Sequence, residues 1–293
     1  MLILRWDGEA SREQHDELAE EEPLEIRVRG RAVSVTMRTP GHDADLAAGF
    51  LFTEGIIRGS GDVLRADHCN RSEAGNVLNV LLAPDVHVDF ARLTRHVFAS
   101  SSCGLCGKAT IELIHAQFPP IESAPRIGVD MVCSLPDKMR AAQLAFDRTG
   151  GLHAAAIFDV DGNLVVLRED VGRHNAVDKV VGHCLLNGPF PLDSHVLLVS
   201  GRSSFEIMQK ALAARVPIVA AVSAPSSLAA QFATGSGQTL VGFLRDRRMN
   251  IYAHPHRIRF PGAPDVNGEA GSISGPVART SGDTIDKVSA HDG

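Results

Sequence analysis

The stretch that decides the fold is HVLLVSGRSSFEIMQKALAARVPIVAAV, residues 195–222. Two apolar runs, His195–Val199 and 217–222, flank a segment with helical spacing. A polar Ser–Gly–Arg–Ser turn follows the first run, and we expect Ser203 and Glu206 to form a capping box for the helix. Strand, helix and strand in this order predict two parallel strands joined by a helical crossover, which is typical of an α/β fold.

On both sides of this stretch, further segments show the hydrophobic periodicity of strands or helices. The turn Val160-Asp161-Gly162-Asn163 separates two apolar runs and predicts a hairpin. The other predicted strands are 24–29, 32–38, 76–82, 239–244 and 251–253, and the other predicted helices are 46–54, 108–118, 135–146 and 174–186. The fold class is therefore α/β, with a smaller β-rich N-terminal portion.

The chain divides by composition into four segments. Residues 1–23 are an acidic N-terminal arm, whose part 7–22 we expect to be solvated or a frayed helix. Residues 24–134 form the β-rich portion that contains a pair of cysteines, and 135–260 an α/β cofactor-binding domain. Residues 261–293 are rich in Gly, Pro, Ser and Asp, which predicts a disordered tail.

Composition excludes several classes of protein. The chain has 293 residues, of which 44% are hydrophobic and 22% charged, as in soluble globular proteins. No apolar run approaches the roughly 18 residues that a membrane span needs. Five cysteines do not suggest a disulfide framework, so we expect a cytoplasmic protein.

The net charge of −6 is unevenly distributed along the chain. Residues 7–25 sum to −8 and residues 261–293 to −3, which leaves +5 for the rest. Most of this excess lies in 243–260, where five arginines face only Asp246. This positive excess predicts a local anion site but is too small to indicate a nucleic-acid surface.

The sharpest chemical signal is Ser-Ser-Ser-Cys-Gly-Leu-Cys-Gly-Lys at 100–108. Cys103 and Cys106 directly precede a predicted helix, whose free amide groups, together with Lys108, favour a thiolate. Such a thiolate suits a redox disulfide, a persulfide or a metal. A structural zinc needs four ligands, of which this pair supplies two. A zinc deaminase needs His-x-Glu with Pro-Cys-x-x-Cys, but here His15-Asp16-Glu17 lies in the acidic arm and Ser102, not proline, precedes Cys103. We therefore predict no metal site.

A second signal is the turn between the first apolar run and its helix. The amide groups at a helix start bind anions, and Ser200, Gly201, Arg202 and Ser203 stand at the carboxyl end of a predicted strand, where α/β proteins bind ligands. The turn lacks the lysine and spacing of a Walker A loop. Helix capping alone is the alternative interpretation.

A third signal is a crowd of polar residues at the start of helix 174–186. Asp170, Arg173, His174 and Lys179 could form a polar wall near a substrate, or a surface ion-pair cluster. His42, which follows Pro40-Gly41, allows the same two interpretations.

Taken together, these motifs resemble the FdhD-type formate dehydrogenase accessory sulfurtransferase family. The resemblance covers roughly 24–260, and several motifs in order are more specific than one Cys-x-x-Cys. The matching stretches are 40–55, CGLCGK at 103–108, TGGLH at 149–153, EDVGRHNAVDK at 169–179, SGRSSFE at 200–206, and 243–252.

This resemblance implies a function. Family members accept sulfur from a cysteine desulfurase as a cysteine persulfide and pass it to the bis-molybdopterin guanine dinucleotide form of the molybdenum cofactor, which formate dehydrogenase needs. The persulfide loop maps onto Cys103 and Cys106, with Cys103 the usual carrier. The cofactor-binding segment maps onto Phe243, Leu244, Arg245, Asp246, Arg247 and Arg248.

The family also implies a homodimer, a cytidine-deaminase-like fold with α/β/α layers in the C-terminal half, and a guanine nucleotide as a mimic of the cofactor. A non-catalytic chaperone, whose cysteines bind zinc or a partner, is the alternative function. The order in which Cys103 and Cys106 carry sulfur, and any proton transfer by His42, His153 or His174, stay open.

Overall fold

The N-terminal part of the chain is built mainly from strands. The computed structural model describes residues 1–69, 75–90, 108–122 and 124–262. The first strands are β1 (Leu2–Trp6), β2 (Ser11–His15), β3 (Glu22–Val28), β4 (Arg31–Arg38), β5 (Val63–His68) and β6 (Val77–Leu82). β1 and β2 form an antiparallel hairpin, and the other four form a sheet in the order β4–β3–β6–β5. The predicted hairpin 24–38 is confirmed.

The expectation of a frayed helix within 7–22 is wrong, because Ser11–His15 is a strand. An Asp-Gly turn joins it to β1: the Asp7 carboxylate accepts hydrogen bonds from the amides of Glu9 and Ala10, at 3.2 and 3.0 Å. Gly8 has φ +103°, which a glycine adopts without strain. All five residues of this strand are polar, so it lacks the apolar alternation that indicates a strand.

The C-terminal part contains the larger sheet. Its strands are β7 (Ile127–Gly128), β8 (His153–Asp159), β9 (Leu164–Asp170), β10 (His195–Val199), β11 (Ile218–Ala221), β12 (Thr239–Arg245), β13 (Arg248–Ala253) and β14 (Ile258–Arg259). Six of them form a sheet in the order β13–β12–β11–β10–β8–β9, and β7 pairs separately with β14. β10, β11 and β12 are parallel, which confirms the predicted crossovers.

The described helices cover both faces of this sheet. They are α1 (Asp43–Thr53), α2 (Lys108–Gln117), α3 (Val129–Ala142), α4 (Leu144–Thr149), α5 (Arg173–Asn187), α6 (Phe205–Ala213) and α7 (Ser227–Ser236), with two 3-10 helices, Ser60–Asp62 and Pro255–Arg257. α1, α5, α6 and α7 share one core with β3 and β6, while α3 packs on the opposite face. The fold is mixed α/β; its likeness to cytidine deaminases stays a prediction.

The predicted helix 135–146 is in fact two helices. It begins earlier, at Val129, and breaks at Gln143, whose ψ of +71° is not helical. The carboxylate of Glu169, on β9, accepts hydrogen bonds from the amides of Ala145 and Phe146 at 2.9 and 2.7 Å. A side chain from another element therefore starts α4, which no local spacing could indicate.

The predicted boundary at residue 134 does not separate two hydrophobic cores. The larger core joins Leu24 and Leu78 from the β-rich portion to Val180 and Val219 from the second half. Of the predicted tail 261–293, residues 263–293 lie outside the described residues. No helix within the described ranges is long and apolar enough to cross a membrane.

The crossing of α1 and α5 depends on two glycines. A Cβ at Gly49 would lie 1.9 Å from the carbonyl oxygen of Asp178, and one at Gly182 would lie 1.8 Å from that of Asp45. Both obstacles are backbone atoms, so a side chain at either position must force the helices apart. This crossing fixes α5, which carries the polar cluster described below.

We expect Gly182→Ala to lower the free energy of unfolding by about 3 kcal/mol, the upper end of the usual cost of overpacking a core. The measurement is urea unfolding followed by circular dichroism. Gly59→Ala is the matched control, because Gly59 has extended backbone and open space around its Cα. Equal stability of the two variants would contradict the close helix contact.

Candidate functional site

The polar residues of the C-terminal half meet at one edge of the six-stranded sheet. β9, β10, β11 and β12 run in one direction, and β8 and β13 run in the opposite direction. The carboxyl ends of β9, β10, β11 and β12 therefore lie at the same edge of the sheet. We call this the carboxyl edge. Ligands of open α/β sheets bind at such an edge. The turn Ser200–Ser203 follows β10 there, and His153 begins β8 beside it.

The Ser200–Ser203 turn is held tightly against its neighbours. Ser200 Oγ accepts a hydrogen bond from the amide of Ala154 at 2.9 Å. A Cβ at Gly201 would lie 3.3 Å from Nδ1 of His153 and 3.7 Å from Cβ of Arg173. The small residue at 201 thus lets the turn approach His153 and the start of α5.

The predicted capping box is wrong. The N-cap of α6 is Ser204 rather than Ser203, and no side chain caps the helix within the described part of the chain. His174, on α5, contacts the N-cap residue and the predicted box residue Glu206: its Nε2 lies 3.1 Å from Ser204 Oγ and 3.0 Å from Glu206 Oε2. The hydrogen bond with His174 holds the pKa of Glu206 below its usual range.

Ser203 Oγ is fully buried and has no hydrogen-bond partner among the described residues. Its carbonyl oxygen accepts from the amide of Ser226 at 3.0 Å, which ties the turn to the start of α7. Ser226 caps α7 through its side chain. Nε of Arg173 is likewise buried and unpartnered among the residues that the structure describes. These atoms retain hydrogen-bonding capacity near the carboxyl edge.

Asp170 and Lys179 form neither of the two predicted arrangements, a polar wall near a substrate or a surface ion-pair cluster, because both side chains are buried. Their side chains are 0% and 1% exposed, and Lys179 Nζ lies 2.7 Å from Asp170 Oδ2. Lys179 also donates to the carbonyl oxygen of Thr39, and Asp170 accepts from the amides of Thr39 and Gly172. The pair positions the segments before α1 and α5, while Arg173 and His174 remain at the edge.

Two histidines near this edge have altered basicity. Burial, and then the positive charge of Arg173, lower the pKa of His153. Burial, and then Arg168, lower the pKa of His42, which has φ +58° at the start of α1. Their roles in proton transfer stay predictions.

The free energy of unfolding should fall as the pH drops below about 6.5, the usual histidine pKa. Between that pH and the lowered pKa of folded His153, the unfolded chain binds a proton that the folded chain does not. We expect His153→Gln to reduce this fall, measured by urea unfolding from pH 7.5 to about 5. His87→Gln, at an exposed position, is the control and should leave the fall unchanged. An unaltered pH dependence in His153→Gln would contradict the assignment.

The predicted cofactor segment 243–248 forms a tight hairpin with an open groove. Asp246 and Arg247 both have positive φ, as a two-residue type I′ turn requires. A cavity of about 440 Å³ is lined by Phe243, Arg245, Asp246, Arg248, Met249 and Asn250. We call this the basic groove. It belongs to the same edge, because the Phe243 amide donates to the carbonyl oxygen of Ser223 after β11.

Not every residue of the arginine-rich segment faces this groove. The side chain of Leu244 is fully buried in the smaller core, and Arg247 pairs with Asp130. Arg257 is buried and donates to the carbonyl oxygen of Gly237 at 2.6 Å. The local basic excess is therefore partly structural, and Arg245 and Arg248 carry the charge of the groove.

Sequence reasoning missed a second cavity, of about 300 Å³, beside Pro40–Gly41–His42. Its floor is the buried pair Arg38–Asp43, with two contacts of 3.0 Å, and His68 Nε2 lies 3.2 Å from Asp43. Arg38 ends β4 and His68 ends β5, which are the two edge strands of the sheet, and Asp43 at the start of α1 contacts both side chains.

The two cysteines of the predicted persulfide loop, Cys103 and Cys106, lie outside the described residues. The predicted helix after them is confirmed as α2, which begins at Lys108. Within the described ranges, no group of three His, Cys, Asp or Glu side chains could hold a metal ion. The assignment of sulfur chemistry to Cys103 and Cys106 stays a prediction.

Comparison with known proteins gives consistent relatives. The "Sulfur carrier protein FdhD" of Streptomyces coelicolor is 50% identical over 264 residues, which cover 87% of this chain and 94% of the relative. That of Mycobacterium tuberculosis is 51% identical over 251 residues, covering 82% and 91%. A solved structure from Desulfotalea psychrophila, assigned as a formate dehydrogenase accessory protein, matches with a TM-score of 0.71 at 24% identity, over 88% of this chain and 98% of that one.

At 24% identity, the structural match supports the fold alone. The sequence matches cover most of this chain and most of each relative. A sequence model of the FdhD/NarQ family matches residues 19–259, which include both cysteines, the Ser200–Ser203 turn and the basic groove. The chain therefore belongs to the FdhD/NarQ family.

Proposed function

We propose that this protein is a sulfurtransferase that accepts sulfur as a cysteine persulfide from a cysteine desulfurase and passes it to the molybdenum cofactor of formate dehydrogenase. The observation that carries the proposal is the family match over 19–259, with relatives named sulfur carrier proteins. The cofactor, bis-molybdopterin guanine dinucleotide, is the substrate. The reaction belongs in the cytoplasm, where thiols stay reduced.

The other cysteines are poor candidates for the sulfur carrier. Burial raises the pKa of Cys184 to about 12, and burial also raises the pKa of Cys133. Neither forms a thiolate readily at neutral pH, and the thiolate is the nucleophile. Cys69 is half-buried on the N-terminal sheet. Cys103 and Cys106, next to the start of α2 and Lys108, are the favoured pair.

The acceptor step is a thiol–disulfide exchange. The Cys103 thiolate attacks the terminal sulfur of the desulfurase persulfide, so a new S–S bond forms on Cys103. The S–S bond of the desulfurase breaks, and its electron pair leaves with the desulfurase cysteine as a thiolate. No external oxidant or reductant is consumed. Cys106 could then take the sulfur or help to release it.

The carboxyl edge has the chemistry that the nucleotide ends of the cofactor require. Phe243, which is partly exposed, offers a face on which guanine can stack, and Arg245 and Arg248 offer bidentate donors to phosphate. Ser200, Gly201, Arg202 and Ser203 offer amide and hydroxyl donors at the start of α6. A homodimer would provide two such sites for the two nucleotide ends.

Sulfur acceptance is tested with a cysteine desulfurase and cysteine labelled with radioactive sulfur, followed by peptide mapping under non-reducing conditions. The label should appear on the peptide that contains Cys103 and Cys106 and should be released by a thiol. Zinc in the purified protein without any labelled peptide would instead support the non-catalytic chaperone.

Cofactor binding is tested by titration with guanosine diphosphate as a mimic. We expect one site per subunit, weakened at least about tenfold in Arg245→Ala, since a charged hydrogen bond contributes about 1.5–3 kcal/mol. Arg259→Ala, at an exposed position of β14, is the matched control. Binding that is absent, or equal in both variants, would remove the groove from the proposal.

A further inference from the structure

The N-terminal hairpin presents an apolar face that no described residue covers. Side chains of a strand alternate between its two faces, so Leu2, Leu4 and Trp6 lie on the same face of β1. They are 55%, 70% and 65% exposed. Large adjoining apolar side chains at a surface mark an interaction site, and an isolated two-stranded hairpin is only marginally stable without a partner.

The same face carries negative charge. Residues directly opposite each other in an antiparallel pair share a face, and Glu13 is opposite Leu4. Arg5 and Arg12, which are opposite each other, lie on the other face. Asp7 and Glu9 are in the turn at one end. The hairpin thus offers Leu and Trp side chains bordered by carboxylates, which suits a surface that is apolar and basic.

The basic groove has this complementary chemistry. Phe243 and Met249 give it apolar lining, and Arg245 and Arg248 are paired across the two strands of its hairpin. Neither guanidinium forms an ion pair with a carboxylate in the part of the chain that the structure describes. Phe243, with φ +53°, is displaced from the regular strand and partly exposed.

The hairpin does not cover the groove of its own chain. The N-terminal ammonium of Met1 donates to the carbonyl oxygen of Asp16 at 2.8 Å, and Glu17 pairs with Arg148 at 2.9 Å. With these contacts in place, the face of Leu2, Leu4 and Trp6 is turned to solvent. The apolar face and the groove are therefore both available to another molecule.

We propose that the N-terminal hairpin of one copy docks into the basic groove of a second copy. Trp6 and Leu4 pack on Phe243 and Met249, and Glu13 faces Arg245 and Arg248. Such a head-to-tail contact uses two different surfaces. One hairpin in one groove buries far less than the roughly 1,200–2,000 Å² of a stable interface, so the contact is weak and depends on concentration and salt.

Trp6 is the single tryptophan of the chain, so tryptophan fluorescence reports on the hairpin alone. Emission of the full-length protein should shift to shorter wavelength as its concentration rises, because the indole enters an apolar groove. The shift should be lost in Arg245→Glu/Arg248→Glu and kept in Arg259→Glu, whose charge change lies on β14. Thermal unfolding of each variant checks that it is folded.

Mixing two variants isolates this contact from any other self-association. Arg245→Glu/Arg248→Glu keeps Trp6 but has a disabled groove, whereas Trp6→Gln keeps the groove and has no tryptophan. Neither should show the shift alone, and the mixture should restore it. The proposal is overturned by a wild-type spectrum that does not change with concentration, by a shift that persists in the groove variant alone, or by a mixture that restores nothing. No nucleotide is added, so this result does not depend on whether the same groove also binds the cofactor.

Discussion

Replacing Lys179 with methionine is expected to lower the free energy of unfolding by about 3–5 kcal/mol, the cost of leaving a buried charge without its partner. Asp170 would keep its buried carboxylate and lose the ammonium 2.7 Å away. Thr39 would lose the donor to its carbonyl oxygen. Because this pair connects the end of β4 to β9 and α5, we expect the carboxyl edge to lose its geometry as well.

Urea unfolding of Lys179→Met gives the measurement, with Lys138→Met as the matched control. Lys138 makes one hydrogen bond, to the carbonyl oxygen of Gly162, and is not fully buried, so its loss should cost about 1 kcal/mol or less. In Asp170→Asn/Lys179→Met both charges are gone, and the loss should be smaller than the sum of the two single variants. Strict additivity would show that the two side chains do not act as a pair.

Replacing Cys103 with alanine is expected to abolish transferable sulfur and the activation of formate dehydrogenase. If the persulfide forms first on this sulfur, Cys133 and Cys184 do not replace it, because both are buried with raised pKa values, and Cys106 receives only sulfur that Cys103 has already accepted. The loss should exceed about a thousandfold, because a covalent nucleophile is removed rather than weakened. The assay follows labelled sulfur from a desulfurase to the protein and formate dehydrogenase activity in parallel.

Cys69→Ala is the matched control, because it removes a half-buried thiol from another part of the chain and should keep full sulfur transfer. Cys106→Ala separates the two roles within the pair: a labelled but inactive variant would make Cys106 the releasing thiol. Full transfer by Cys103→Ala would refute its assignment, and full transfer by the double variant would refute the persulfide mechanism.

Local patterns in the sequence predicted most of the regular elements. Apolar runs and alternation predicted β3, β4 and the strands β8 to β12. These features depend on neighbours within a few residues, which is the range over which hydrophobic period and capping act. The strand Ser11–His15 was missed because all its residues are polar. The break at Gln143 was missed because the partner of the next helix start, Glu169, is distant in sequence.

The sequence by itself determined the α/β class, the order of most elements and the family to which the chain belongs. Hydrophobic periodicity, turn residues and the order of motifs are all local properties of the sequence. Only the tertiary structure decided that Asp170 pairs with buried Lys179, that His174 binds Glu206, and that Arg38 meets Asp43 under a cavity. The amide of Thr39 reaches the carboxylate of Asp170 across 131 positions of sequence. Such partners are determined by which helices and strands pack together. Packing between segments that are distant in sequence produces no local periodicity of hydrophobic residues, so the sequence pattern does not indicate it.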